Sequence, residues 1–124
     1  MRDRLAEVVF EDTLGDTVIA TVAGEIDGSN ASEVRRAVAE RVPSTARSLV
    51  IDLTRTAYVD STGVELLFEL ARRLSSRRQT FTVVVPPGSG VRRVLELCDI
   101  GSVGSLVETR EQALAAGGTD GSLQ

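Results

Sequence analysis

The chain has 124 residues, 42% apolar and 26% charged, which fits one ordinary globular domain. At that length a single core buries about two-thirds of the unfolded surface without disulfides or metals. There is no His, no Trp and no Lys, all 14 positive charges being Arg, and there is one Cys. These absences exclude Ser-His-Asp and Cys-His catalysis, a Walker A lysine, a Schiff base and an internal disulfide, and they remove the commonest nitrogen ligand for zinc.

In chain order, residues 5–11 and 17–23 are β-branched-rich runs separated by Asp12-Thr13-Leu14-Gly15-Asp16, so they predict a hairpin. Gly24-Glu25-Ile26-Asp27-Gly28 reads as a loop, followed by Ser29 or Asn30 as an N-cap. Ala31, Val34, Ala37, Val38 and Val42 then recur at helical spacing until Pro43. Residues 48–53 (Ser-Leu-Val-Ile-Asp-Leu) predict a short buried strand, and a short loop leads to the next element. Val64, Leu67, Phe68, Ala71 and Leu74 form the strongest helical stripe, predicting a helix over 61–76. Residues 81–85 predict another buried strand stopped by Pro86-Pro87-Gly88. Val91, Val94, Leu95 and Cys98 mark a short helix ending near Gly101, with Cys98 read as a small buried hydrophobe rather than a redox group. Residues 103–107 and 111–116 predict a last strand and a last helix, and the Gly-rich stretch from Gly117 a disordered tail. Strands alternating with helices in this way predict an α/β fold: a mixed sheet opened by a hairpin, with helices packed on it.

A net charge of −4 argues against non-specific nucleic-acid binding. The arginine pairs (Arg35-Arg36, Arg72-Arg73, Arg77-Arg78, Arg92-Arg93) are interleaved with carboxylates and lack neighbouring aromatics, so they read as solvated helix faces. The charged start Met1-Arg2-Asp3-Arg4 does not resemble a signal peptide, and no apolar run approaches the roughly 20 residues a membrane span needs. A cytoplasmic protein without membrane contact is expected.

Two segments could carry chemistry. Asp60-Ser61-Thr62-Gly63 opens the strongest helix just beyond a strand, where α/β sheets bind ligands and where spare helix amides favour an added phosphoryl group. On spacing alone the plainer reading is an N-cap, because Asp, Ser and Thr satisfy orphan amides there. With no His or Lys as base, a nucleophilic Ser61 is nearly excluded, whereas a phosphoacceptor uses the base of the kinase. Gly63 has no side chain and would let a partner's backbone approach. In the other segment Glu25 and Asp27 flank Ile26; two loop carboxylates are a weak signal for a metal or for acid-base work, and a turn with polar ends is preferred.

Taken in order, Gly24-Glu25-Ile26-Asp27, the Val50-Ile51-Asp52-Leu53 strand, Tyr58-Val59-Asp60-Ser61-Thr62-Gly63 and the Val91–Cys98 helix followed by Asp99-Ile100-Gly101 resemble the anti-sigma factor antagonists, small single-domain STAS proteins. The resemblance covers about residues 5–115 and implies a STAS domain over 1–116, with 117–124 as tail. It implies no catalysis and no cofactor, but partner switching. The unmodified protein binds an anti-sigma factor that is also a serine kinase and so releases a sigma factor. The kinase, supplying Mg-ATP, then phosphorylates the first Ser of the motif, here Ser61, and a serine phosphatase resets it. By position the resemblance implies partner binding through Glu25, Asp27, Asp60, Thr62, Gly63 and Glu65. At Glu65 the chain departs from the family, which often has a small residue there, and at Val64, where the family has Leu. A carboxylate in the first helical turn suits the helix dipole but adds charge beside the docking surface. Two other readings compete: a constitutive STAS subunit of a transporter or signalling complex, in which Ser61 only caps its helix, and a small nucleotide-binding enzyme, for which no glycine-rich phosphate loop is present.

Overall fold

The computed structural model describes residues 6–13 and 15–120, with side chains through Ala115. Leu5 of the expected first strand, Leu14 of its turn and 121–124 of the expected tail lie outside the described residues. The elements run β1 (Glu7–Asp12), β2 (Thr17–Ile26), α1 (Ala31–Arg41), β3 (Ser48–Asp52), β4 (Thr56–Val59), α2 (Ser61–Ser76), β5 (Thr80–Val84), α3 (Gly90–Leu97), β6 (Ser105–Val107) and α4 (Arg110–Asp120).

The sheet is mixed, in the order β1-β2-β3-β5-β6. β1 is antiparallel to β2, as the hairpin reading requires, and β2, β3, β5 and β6 are parallel. Parallel strands need long crossovers and cover on both faces, which is why β3 and β5 read as continuous apolar runs. Alternation along β2 sorts its side chains: Val18, Ala20 and Val22 join Leu49, Ile51, Phe81 and Val83 in a core with Val38 of α1, Leu67 and Leu70 of α2 and Leu95 of α3. Ile19, Val50 and Val84 point to the other face and meet Ala113 of α4. α2 fits its predicted span because its stripe from Val64 to Leu74 is buried while Arg72, Arg73 and Glu69 stay exposed.

Four expectations change. Gly24-Glu25-Ile26 is not loop but the end of β2, which runs on past the β3 pairing to pair with β4. The register shifts between Gly24 and Glu25, and Gly24 has φ 107, a left-handed value open to glycine, so the strand is kinked there rather than ended. β4 stands where the sequence predicts a short loop; only four residues long and half exposed, it lacks a pattern of its own. Cys98 is exposed. It follows the last residue of α3, whose buried positions are Val91 and Leu95, and the left-handed turn at Asp99 sends Ile100 into the core instead. Finally, α4 extends through Asp120, so its last turn takes in the first residues expected of the tail.

Candidate functional site

The extension of β2 and its pairing with β4 place the two sequence segments at one end of the sheet. The Asp60 N–H donates to the Ile26 carbonyl at 3.2 Å, joining the end of β2 to the start of α2. Asp60 is the N-cap of α2: its Oδ1 accepts from the Gly63 N–H at 3.0 Å. Its Oδ2 accepts from the Gly28 N–H at 3.2 Å, so one carboxylate ties the loop before α1 to the start of α2.

That tie depends on close approach. A Cβ on Gly63 would stand 2.8 Å from the Ile26 carbonyl oxygen and 2.8 Å from Val59 Cγ1. Gly63 is buried. The room its missing side chain makes is taken up within the molecule, which corrects the expectation that it admits a partner's backbone. A Cβ on Gly28 would lie 3.7 Å from Thr62 Oγ1, so loop and helix meet side by side.

Ser61, the first residue of α2, and Thr62 are exposed. Among the described residues the Ser61 hydroxyl has no hydrogen-bond partner. The capping role is filled by Asp60, one residue earlier, and this answers the plainer reading of the motif: the tetrapeptide does cap the helix, but Ser61 is not the cap. At N1 its hydroxyl sits at the positive end of the helix dipole beside first-turn amides that have no intrahelical acceptor.

The loop is held from within. Asp27 Oδ1 accepts from the Ser29 N–H at 2.9 Å and from its hydroxyl at 2.6 Å. Asn30 Oδ1 accepts from the Asp27 N–H at 3.0 Å, and its Nδ2 donates to the Glu25 carbonyl at 2.8 Å. Glu25 is exposed and lies beside Tyr58 in the β2–β4 register. Tyr58 is 51% exposed, a large aromatic surface three positions before Ser61 and a motif residue to which the sequence assigns no role. Its cue was a Tyr in a strand too short to hide it.

Glu65 is the fifth residue of α2, beyond the first turn, so the dipole contribution expected of it is lost. It is exposed and lines a shallow groove of about 140 Å³ between α1 and α2 with Ser32, Arg35, Thr62, Leu66 and Glu69. Arg35 crosses that groove to Glu69 at 3.4 Å. The structure therefore brings Glu25, Asp27, Asp60, Ser61 and Thr62 to one end, with Glu65 one turn along α2 and Gly63 beneath. Among the described residues no group of three or more His, Cys, Asp or Glu side chains is placed to hold a metal, and no helix is long and apolar enough to cross a membrane.

Comparison with known proteins bears on this geometry. A family model described as the STAS domain matches residues 9–113. The chain is 29% identical over 105 residues to a Bordetella bronchiseptica protein provisionally named anti-sigma factor antagonist BtrV, covering 85% of this chain and 90% of that one. It is 28% identical to an anti-sigma factor antagonist from Mycobacterium paratuberculosis of known crystal structure, with a TM-score of 0.80 over 90% of this chain and 92% of that one. Unphosphorylated SpoIIAA, an anti-sigma factor antagonist 20% identical, superposes with a TM-score of 0.66 over 88% of this chain and 96% of that one, which shows likeness of fold.

Proposed function

The chain belongs to the STAS domain family, and on that premise we propose that it is an anti-sigma factor antagonist switched by phosphorylation of Ser61. In the unmodified state its Ser61 end docks on an anti-sigma factor with serine kinase activity and frees the sigma factor. The single observation that carries the reading is the exposed Ser61 hydroxyl, without a hydrogen-bond partner among the described residues at the start of α2, while Asp60 does the capping. The names of the relatives support the same class of partner. A sigma-factor switch works where RNA polymerase does, so the reading locates the chain in the cytoplasm.

The chemistry is divided between two proteins. The chain has no His and no Lys, hence no evident base beside Ser61, and the kinase supplies both base and Mg-ATP. The Ser61 Oγ forms a bond to the γ-phosphorus as the bond to the leaving ADP oxygen breaks, and the hydroxyl proton passes to the kinase base. A serine phosphatase reverses the state by hydrolysis. The new group carries about −1.5 to −2 charges at neutral pH. It arises next to Asp60 in sequence and across from the end of β2 and the loop after it, which carry Glu25 and Asp27. Releasing a partner a thousandfold takes about 4 kcal/mol. One like-charge contact at about 4 Å with an effective dielectric near 20 has that size, so no refolding is needed.

The test is incubation of the purified chain with its anti-sigma factor kinase and Mg-ATP. Phosphate is expected on Ser61 and absent in Ser61→Ala. Ser61→Glu is expected to weaken binding while Ser61→Ala retains it. Modification elsewhere, or equal affinity of the two variants, overturns the reading. An unmodified Ser61 in cells, with the chain co-purifying with transporter subunits, would establish the constitutive alternative.

A further inference from the structure

Asn30 is 2% exposed and directly precedes α1, where an Asn side chain ordinarily accepts from a first-turn amide. It makes no such bond. Its amide turns back into the loop and is satisfied at both ends, accepting from the Asp27 N–H at 3.0 Å and donating to the Glu25 carbonyl at 2.8 Å. Its own N–H donates to the Asp27 carbonyl at 3.1 Å, and the Ala31 N–H donates to the same oxygen at 2.8 Å. A buried amide whose two ends both engage backbone is costly to replace, because removing it leaves those groups without partners.

What the amide holds is specific. Glu25 ends in solvent and Asp27 is half-buried, and both belong to the segment that faces the start of α2. On the far side of that segment Asp60 grips the Gly28 N–H. Beyond its own turn bonds the loop is tied to its surroundings by Asn30 from inside the fold and by Asp60 from the helix that carries Ser61. The strand ladder and the helix leave a gap here, since β2 leaves its β4 pairing at Ile26 and α1 begins only at Ala31; the backbone bonds to the Asp27 carbonyl close the turn, and the Asn30 amide ties that turn back to the Glu25 carbonyl.

We propose that Asn30 is a positioning residue for partner docking: it does not meet the partner, but its buried amide fixes the turn at residues 27–29 against the end of β2 so that Asp27 is presented beside Glu25 at the Ser61 end. The inference rests on the docking function proposed above. It separates two jobs that the sequence merges, since Asn30 as a helix cap would stabilise α1, whereas Asn30 as a loop clamp governs the affinity of a surface it does not belong to.

The experiment uses the whole chain in two variants. Asn30→Ala removes both bonds. Asn30→Asp keeps the acceptor for Asp27 and loses the donor to Glu25, and it carries the test if the alanine variant does not fold. The backbone ¹⁵N order parameter of residues 27–29 is expected to fall from a rigid value of about 0.85 to below about 0.6 in Asn30→Ala, while Val50 and Val83 stay rigid. Unchanged order at 27–29, or equal loosening of Val50 and Val83, overturns the proposal, the second outcome showing a merely structural residue. With the kinase of the preceding test, KM for the chain as substrate is expected to rise about tenfold in either variant with kcat nearly unchanged, the pattern of lost binding alone. A wild-type KM in both variants overturns the docking role. Absence of any phosphorylation of the wild-type chain sinks the antagonist reading and the docking role together, and the relaxation result then still decides whether Asn30 clamps the loop.

Discussion

Two polar clusters lie at different places on this sheet, and they are built in opposite ways. In the first, Arg110 opens α4 and reaches three strands: its Nε donates to Asp52 of β3 at 2.8 Å, its terminal nitrogens to Glu11 of β1 at 3.3 and 3.0 Å, and one of them to Thr21 of β2 at 2.7 Å. Asp52, 5% exposed, also accepts from the Thr54 N–H at 2.9 Å and its hydroxyl at 2.6 Å. Every charge there has a side-chain partner. The cluster fastens a helix whose apolar contact with the sheet is small, Ala113 being its buried residue among those described. At the Ser61 end the carboxylates of Asp27 and Asp60 accept from backbone amides, while the Ser61 hydroxyl stands in solvent. Mutual saturation of side chains marks a fastening; a hydroxyl left over beside spare helix amides marks a place prepared for something added.

The largest expected effect breaks the fastening. Arg110→Met leaves the buried Asp52 carboxylate without its cation and is expected to cost about 3 kcal/mol, the lower end for a broken buried pair because Arg110 is one-third exposed. Urea unfolding at neutral pH measures it, and Ser61 phosphorylation of the folded variant should be unchanged. The pH dependence gives a second check. Burial works against ionisation of Asp52, but the hydrogen bonds from Arg110 and Thr54 outweigh it and hold the carboxyl below its ordinary value of 3.8. A depressed folded pKa gives stability that is present above the unfolded value, about 3.9, and lost as pH falls through the folded one. In Arg110→Met only the Thr54 hydrogen bonds are left to oppose burial, so the gap between the two proteins should narrow as the pH is lowered below about 4. A gap constant from pH 7 to the acid limit would mean that Asp52 is not its source.

An intermediate effect joins the two kinds of site. Gly63→Ala drives a Cβ to within 2.8 Å of the Ile26 carbonyl and of Val59. Overpacking of this kind costs about 1–3 kcal/mol, and it prises the start of α2 from the end of β2. Loss of stability together with slower phosphorylation of Ser61 is expected. Slower phosphorylation without loss of stability would instead restore Gly63 to the docking surface.

The difference between the clusters also explains what the sequence disclosed. Helical stripes and continuous apolar strands are local patterns, so α1, α2, β3 and β5 were legible, and with them the mixed sheet. The hydroxyl at the start of α2 was legible too, because Asp60-Ser61-Thr62 is a local arrangement. What could not be read depends on partners distant in sequence. Gly63 reads in sequence as an opening for a partner, but Ile26, 37 positions earlier, packs against it. The end of β2 looked like a loop because its pairing strand, β4, is too short to announce itself. Cys98 kept the helical phase of Val91 and Val94, but α3 stops at Leu97 and the turn at Asp99 hands the buried place to Ile100. Arg110 and Glu11 lie in no motif and Asp52 is only one residue of an apolar strand, since an ion-pair cluster drawn from two strands and a helix has no signature in any one of them.

The smallest expected effect is the most telling. Ser61→Ala removes a hydroxyl that bonds to nothing among the described residues and leaves Asp60 in place as cap. Substitution of an exposed side chain without partners changes stability by no more than about 0.5 kcal/mol. Ala is also the best helix former, so its presence at the first position of α2 does not penalise the helix. The variant is therefore expected to unfold with the wild type in urea while accepting no phosphate. A loss above about 1 kcal/mol, the worth of a lost cap, would place Ser61 with the fastenings of the fold rather than with its switch.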